Sequence, residues 1–509
     1  MSLNIAAEIV AATDAAGTLT TLRFAKQGFR SGAADTPPHV LFEGSMKQPA
    51  ALRREMFSGG TSGRSNISWG EMVVSNIDGH LDGIKSYGFD GRDCTIRVGE
   101  AGALYPSAWT TFAKGTLEAV ALTWSAVSFQ LRDRLANFDK PLLQSLYTGS
   151  NALPNGVDGV TGDIKGQRRP RAYGGALNAS APCVNTTRLI YEVGACYDVA
   201  AAYDQGLGLT RGANYADQAA MEATAPAAGY VRAWPAGGYV RLGSKPVAAP
   251  TFDVTQGATV SNRTVAQLLK QIALDMGTAA GDISAADVAA LDAAAPYESG
   301  VWVSGDMSAI AAMDMLAASV GAWYGFDRLG VLRMGQLVAP TGTPVASFTV
   351  SNFRDLQRVP ATSLEQALPS WRVTVNYARN WTVQTDGLAG AVTAARQTWL
   401  GLAVRAAVVS NSAVKTQYLN APEISRDGLL LNEADAATEA ARLSTLYGVP
   451  RDTYTLRVFV KSAADVTIDL GSIVRITASR FGLNAGKLFV VTGIGADLAN
   501  NAIDLTVWG

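Results

Sequence analysis

The feature that most constrains this chain is its last sixty residues. They read as a run of short strands at close spacing: "TYTLRVFVK", "DVTIDLG", "SIVRITA", "KLFVVTGI" and "AIDLTVWG". In the final run Ile503, Leu505 and Val507 point one way and Asp504, Thr506 and Trp508 the other. That period of two belongs to a strand with one buried face. The turn residues "DLANNA" separate it from the β-branched run that begins at Lys487,. Several such strands in succession specify a barrel or a sandwich. The chain is expected to end tied into a sheet, with Trp508 covering a neighbouring element or another subunit.

The rest of the sequence divides by pattern. Residues 1–130 read as a β-barrel-like domain. Its strands are "TLTTLRFA", "SNISWGEMVVSN" (Ile67, Trp69, Glu71 and Val73 on one side), "CTIRVG" and "TLEAVALTWSAVSFQLRD", with a short apolar helix or turn at Leu81 and Ile84 between two Asp-Gly turns. Residues 131–255 are rich in Gly, Pro, Asn and Ser and read as an irregular β insertion,. Residues 256–345 hold three short helices. Val265, Leu268, Leu269, Ile272 and Met276 form one stripe; Ser284 and Asp287 open a second helix carrying Val288 and Leu291; Ala309, Met313, Leu316 and Val320 mark the third,. "AWYGFDRLGVLRMG" follows as a hairpin turning at Asp327–Gly330. Residues 346–509 return to β, with "WRVTVNYARNW" as a strand and one helix near 432–447, capped by Asn432 and stopped by Gly448 and Pro450,. The fold class expected is therefore mainly β with α/β parts, two barrel-like domains joined by a smaller β insertion and a small α/β domain.

Composition narrows the function. At 509 residues the chain has room for several domains,. Charged residues are 17% of it against an ordinary ~25%,. Two readings fit: surface covered inside an assembly, or dilution by Ala and Gly. A net charge of −1 gives no overall footprint for nucleic acid or anionic membrane,. The N-terminus lacks the basic region of a secretory signal, and no apolar run reaches the ~18–20 residues of a membrane span,. Synthesis in a cytoplasm is expected. There Cys94, Cys183 and Cys196 are expected to be reduced, although a Cys183–Cys196 disulfide is conceivable from spacing,.

Motifs for chemistry are sparse. The two histidines, His39 and His80, lie in turns. "GLNAGKL" has three residues between its glycines where a phosphate loop needs four, and Leu488 stands where Ser or Thr should bind Mg²⁺,. "DGHLDG" alternates Asp78, His80 and Asp82 but has Phe89 where a calcium loop needs Glu, so turn chemistry explains it,. No cofactor and no metal is expected, and no catalytic residue is singled out; carboxylates are too numerous for sequence to pick an acid/base pair. The candidate interaction residues are the basic run Lys165, Arg168, Arg169 and Arg171, which either touches phosphate or an acidic partner or is a solvated loop, together with Trp234 and Trp508,.

Two stretches, with a shorter one between them, resemble a known group. "SWGEMVV" with "SNIDGHLDGIKSYGFDGRD", "RRPRAYGG" midway, and the block from "AARLSTLYGVPRDTYTLRVFV" through "DLGSIVRITASRFGLNAGKLFVVTGIGADL" to "IDLTVWG" are similar, in that order, to tail-tip or baseplate hub proteins of long-tailed bacteriophages. The resemblance implies a structural virion subunit rather than an enzyme. It implies a homotrimeric ring whose three chains, with two barrels each, adapt a hexameric tail tube to the tip and surround the genome-delivery channel. The implied partners are a distal tail or tube protein, the tape measure protein and tip or fibre proteins. DNA would be met only in passage, with no stable membrane insertion. The competing readings are a glycan- or receptor-binding tail protein, for which Trp234 in "RAWPAGGY" is the candidate, and a carboxylate-dependent cell-wall hydrolase.

Overall fold

The computed structural model describes residues 3–58, 60–360, 368–459, 468–497 and 502–509. Most of the "DLANNA" turn and the first part of "DVTIDLG" lie outside them; what is described of the latter, 468–471, includes a turn rather than a strand.

The N-terminal strands make one seven-stranded sheet, in the order Leu19–Ala25, Leu3–Ala12, Asp93–Glu100, Thr110–Leu122, Ala126–Arg132, Met72–Ser75, Met46–Gln48. The sheet closes on itself. Glu43, just ahead of the last strand in that order, bridges Phe24 in the first, with Ala25 N–H donating to the Glu43 carbonyl at 2.7 Å. Alternation fills the inside: Ile5, Ala7, Ile9; Cys94, Ile96, Val98; Val127, Phe129, Leu131 are all buried in one cluster. The short helix Asp82–Ser86 lays Leu81 and Ile84 on the same core, as the sequence indicated.

"SNISWGEMVVSN" is not one strand. It splits into Asn66–Trp69 and Met72–Ser75, which join different sheets. The break is at Gly70, whose N–H donates to the Ala51 carbonyl and where a Cβ would stand 3.1 Å from that of Ala51. Asn66–Trp69 pairs with Leu52–Glu55, which pairs in turn with residues 493–496 near the chain's far end. Between them Gly63–Arg64 runs parallel to Trp323–Tyr324. The N-terminal segment thus reaches out of its own barrel and stitches the later parts of the chain to it. Arg54 locks the stitch: it is 1% exposed, ion-paired to Asp469, and donates to the Phe326 carbonyl at 3.2 Å.

The insertion is a two-sheet sandwich. One sheet orders Leu207–Gly208, Asp198–Asp204, Thr251–Thr255, Arg171–Ser180 and Gly300–Val303; the other orders Cys183–Asn185, Ile190–Glu192, Tyr239–Leu242, Tyr230–Trp234 and Thr210–Arg211. Ala176, Val193, Val199, Val231, Val240, Phe252 and Val254 fill the space between. Its edge strand Gly300–Val303 comes from beyond residue 256, so pairing crosses the boundary that composition suggested.

The three helices form at Val265–Asp275, Ala285–Ala294 and Ala309–Ala318, with Thr264, Ser284 and Ser308 as side-chain N-caps,. Asp287 does not complete a capping box; it pairs with Arg333 of the hairpin Ala322–Phe326/Leu332–Gln336. Beyond residue 346 there are two units. Six strands curl into a half-barrel in the order Ala346–Thr349, Ile473–Thr477, Lys487–Asp497, Ala502–Trp508, Thr453–Phe459, Phe353–Val359. A separate three-stranded sheet, Arg405–Ser410/Arg372–Tyr377/Glu423–Leu430, carries the helix Glu433–Tyr447 across it. The expectation of one helix here falls short: Ala394–Gly401 and Ser412–Gln417 are also helical, each too short to show an amphipathic stripe,.

Candidate functional site

The basic run enters the insertion sheet at Arg171, the first residue of its longest strand. Each arginine meets an acid of its own chain. Arg168 pairs with Asp306 and donates to the Leu143 carbonyl at 2.6 Å. Arg169 pairs with Asp158, donates to Glu192 Oε2 at 2.7 Å, and lies 4.5 Å over the ring of Tyr147. Arg171 reaches Asp275 at 2.8 Å and covers Tyr173, whose hydroxyl donates to the same carboxylate at 2.8 Å. Lys165 is the exposed member. The three guanidinium groups are thus engaged by four carboxylates of the same chain. Arg168 and Arg171 tie the insertion to Asp306 and Asp275 beyond it, and Arg169 ties Asp158 to Glu192 within it.

The electrostatics around Arg169 are those of a closed network. Burial pushes the Glu192 carboxyl, 5% exposed, up to about 7 against the pull of Arg169. Burial also acts on Asp158, but hydrogen bonds from Thr148 and Ser150 outweigh it and bring that carboxyl down to about 2. Asp158 and Glu192 are the acids this site brings together, and both are held by one guanidinium; they do not face a free cleft as a glycosidase pair would. A cavity of about 670 Å³ opens beside the run, lined by Gln167, Arg168, Ser180, Pro182 and Asp306, and its single carboxylate is the one bound to Arg168.

The aromatic candidates fare differently. Trp234 is half-buried, stacked on Tyr239 with ring centroids 5.8 Å apart, with Gly237 pressed against it. Trp508 is 5% exposed, against Tyr447 at 6.3 Å and under Arg451 at 5.1 Å. Of the two covers the sequence left open, a neighbouring element of the same chain is present. The exposed tryptophan is one the sequence did not single out. Trp124, 95% exposed, sits at the tip of the hairpin Thr110–Leu122/Ala126–Arg132, near Ile77 at 72%. Its turn, Trp124–Ser125, lacks the Gly or Asn that would have announced a hairpin.

The three cysteines are free thiols, and burial pushes Cys94 and Cys196 up to about 12 and Cys183 upward. His80 sits between Asp78 at 2.6 Å and Glu43 at 3.0 Å, and those hydrogen bonds raise its pKa; it ties the Asp-Gly turn to the segment that closes the barrel. Among the described residues no group of three or more His, Cys, Asp or Glu is arranged to hold a metal ion, and no helix is long and apolar enough to cross a membrane.

The sequence matches no protein-family model and no curated protein. Solved structures similar to it include tail proteins and a virion chain. The tail protein from Neisseria meningitidis MC58 aligns over 100% of this chain and 96% of its own, at 11% identity and a TM-score of 0.42. The prophage MuSo2 43 kDa tail protein from Shewanella oneidensis covers 92% of this chain and 95% of its own, at 11% identity and a TM-score of 0.39. A chain of the virion of a native gene transfer agent particle covers 68% of this chain and 85% of its own, at 16% identity and a TM-score of 0.41.

Proposed function

We propose that this chain is a structural subunit of a bacteriophage tail tip or baseplate, a hub protein of which three copies surround the channel. One observation carries the reading: a closed N-terminal barrel and a C-terminal half-barrel occur in one chain and are stitched through residues 52–69, so that each copy offers two barrel-like units in fixed relation. Three copies then present six units to a hexameric tube, as the resemblance in "SNIDGHLDGIKSYGFDGRD" and the C-terminal block implies. The pairing of the basic run within the chain, and the lack of an acid pair in a free cleft at that site, support a scaffold rather than a catalyst. Distal tail, tape measure and tip or fibre proteins are the proposed neighbours, and the virion the proposed location. A closed cyclic assembly is the ordinary route to such a ring. Sedimentation velocity over a concentration series tests it: a trimer forming as concentration rises is expected, and a monomer throughout, with no trimer on adding tube protein, counts against it.

A receptor- or glycan-binding tail role is the second reading. Trp124 favours it, because a fully exposed indole at a hairpin tip is a contact residue waiting for a partner,. Trp234, the candidate from the sequence, is already stacked within the chain.

A further inference from the structure

The strand Thr110–Leu122 outlasts its neighbour. On one side its pairing with Asp93–Glu100 ends at Thr116, and Leu117 completes it by exchanging bonds of 2.9 Å with Gly91 and Arg92. Past a bulge at Glu118, residues 119–122 are then paired on the other side alone, with 127–130. The bond from Thr123 N–H to the Ala126 carbonyl, 2.8 Å, sets the phase of that ladder. Antiparallel residues alternate between bonding their partner and facing away from it. Ala119 and Ala121 therefore bond Gln130 and Ser128, while Val120 and Leu122 turn their N–H and C=O groups to the open side. No backbone partner meets them there among the described residues.

The side chains make this edge specific. Val120 and Leu122 lie opposite Phe129 and Val127, on the face that continues the barrel interior. With Ile84, Tyr87 and Phe89 they line a groove of about 200 Å³, and Phe89 meets core Phe129 edge-on at 5.8 Å. The groove is thus an outlet of the core, sized for one large apolar side chain. Its rim carries Asp90, Glu118 and Lys85, none in an ion pair among the described residues, so two carboxylates face one ammonium.

We propose that residues 118–122 receive an extended segment of a partner polypeptide as an added strand. The segment bonds the peptide groups of Val120 and Leu122, places an apolar side chain between Val120 and Tyr87, and sets a Lys or Arg beside Asp90 and Glu118. Open ladder groups call for a peptide backbone, which a lipid or a sugar ring does not supply at strand spacing. The acidic rim selects a basic flank, and it disfavours a second copy of this edge, which would bring two acidic rims together. The proposal does not depend on the three-fold ring.

The test uses the full chain and a fluorescein-labelled peptide, Lys-Val-Thr-Val-Lys-Val-Thr, followed by anisotropy and by hydrogen exchange at residues 118–122. Expected are binding in the micromolar range and slowed exchange of the Val120 and Leu122 amides. N-methylation of alternate peptide amides should weaken binding by about tenfold or more, and Glu118→Lys, at an exposed position, by several-fold. Binding indifferent to N-methylation would make the groove a plain apolar contact and overturn strand addition, as would no binding at millimolar peptide. Protection of the same amides by raising the concentration of the chain alone would assign the edge to a second copy and overturn the proposed partner.

Discussion

Arg54 and Asp133 show how single side chains hold this chain together. Arg54 is a buried cation whose counter-ion, Asp469, lies 415 residues away. Removing one partner of a buried pair costs roughly 3–5 kcal/mol. Arg54→Ala should therefore lower the thermal midpoint of the C-terminal half-barrel, read by tryptophan fluorescence, while Arg53→Ala, at a solvent-exposed position, should not. Asp133 caps the short helix Arg134–Phe138 by accepting from Leu135 N–H at 2.9 Å. Burial pushes its carboxyl up to about 6, from about 3.9 when unfolded. The folded state then holds the proton more tightly, so the stability this group contributes is full below about pH 4 and lost as pH rises through about 6. Asn keeps the cap without the charge. Asp133→Asn should raise the melting temperature more at pH 8 than at pH 5; an equal shift at both would show that the carboxyl is not titrating there.

At the scale of elements, the last strand is central rather than peripheral. Ala502–Trp508 pairs with Lys487–Asp497 on one side and Thr453–Phe459 on the other. Deleting residues 502–509 should leave two unpaired edges and an aggregating protein, seen as loss of soluble material in size-exclusion chromatography; a soluble, monodisperse truncation would contradict this placement. Trp508→Ala should act through the cavity it leaves against Tyr447, destabilising by about 3–5 kcal/mol, rather than by loss of a subunit contact alone. The alternation of Ile503, Leu505 and Val507 was legible because a strand with one buried face repeats every two residues. The helices at 265, 285, 309 and 433 were legible from their apolar stripes; Asn432, read as the cap of the last, accepts no bond from its helix N-terminus and donates to Asp435 instead. The order of strands was not, since nothing local in "AIDLTVWG" says which two strands flank it. The same limit hid the break at Gly70, which exists because Ala51 packs there, and the acids that meet Arg168, Arg169 and Arg171, which come from distant parts of the chain. Trp124 was missed because its turn carries no glycine or asparagine.

At the scale of the whole molecule, the segment 52–69 decides the architecture. It pairs with residues 493–496 and with Trp323–Tyr324, so the first barrel, the α/β part and the half-barrel share one hydrogen-bonded framework. That shared framework fits the proposed ring, in which each chain supplies two barrel-like units. Low charge agrees with surface covered in such an assembly. The most direct measurement is a cryo-electron microscopy reconstruction, with no symmetry imposed, of tails that contain this chain. The account predicts three copies around the axis, their six barrel-like units in a ring beneath the tube. Density for one copy, for six, or for copies placed off the axis as fibres would contradict it.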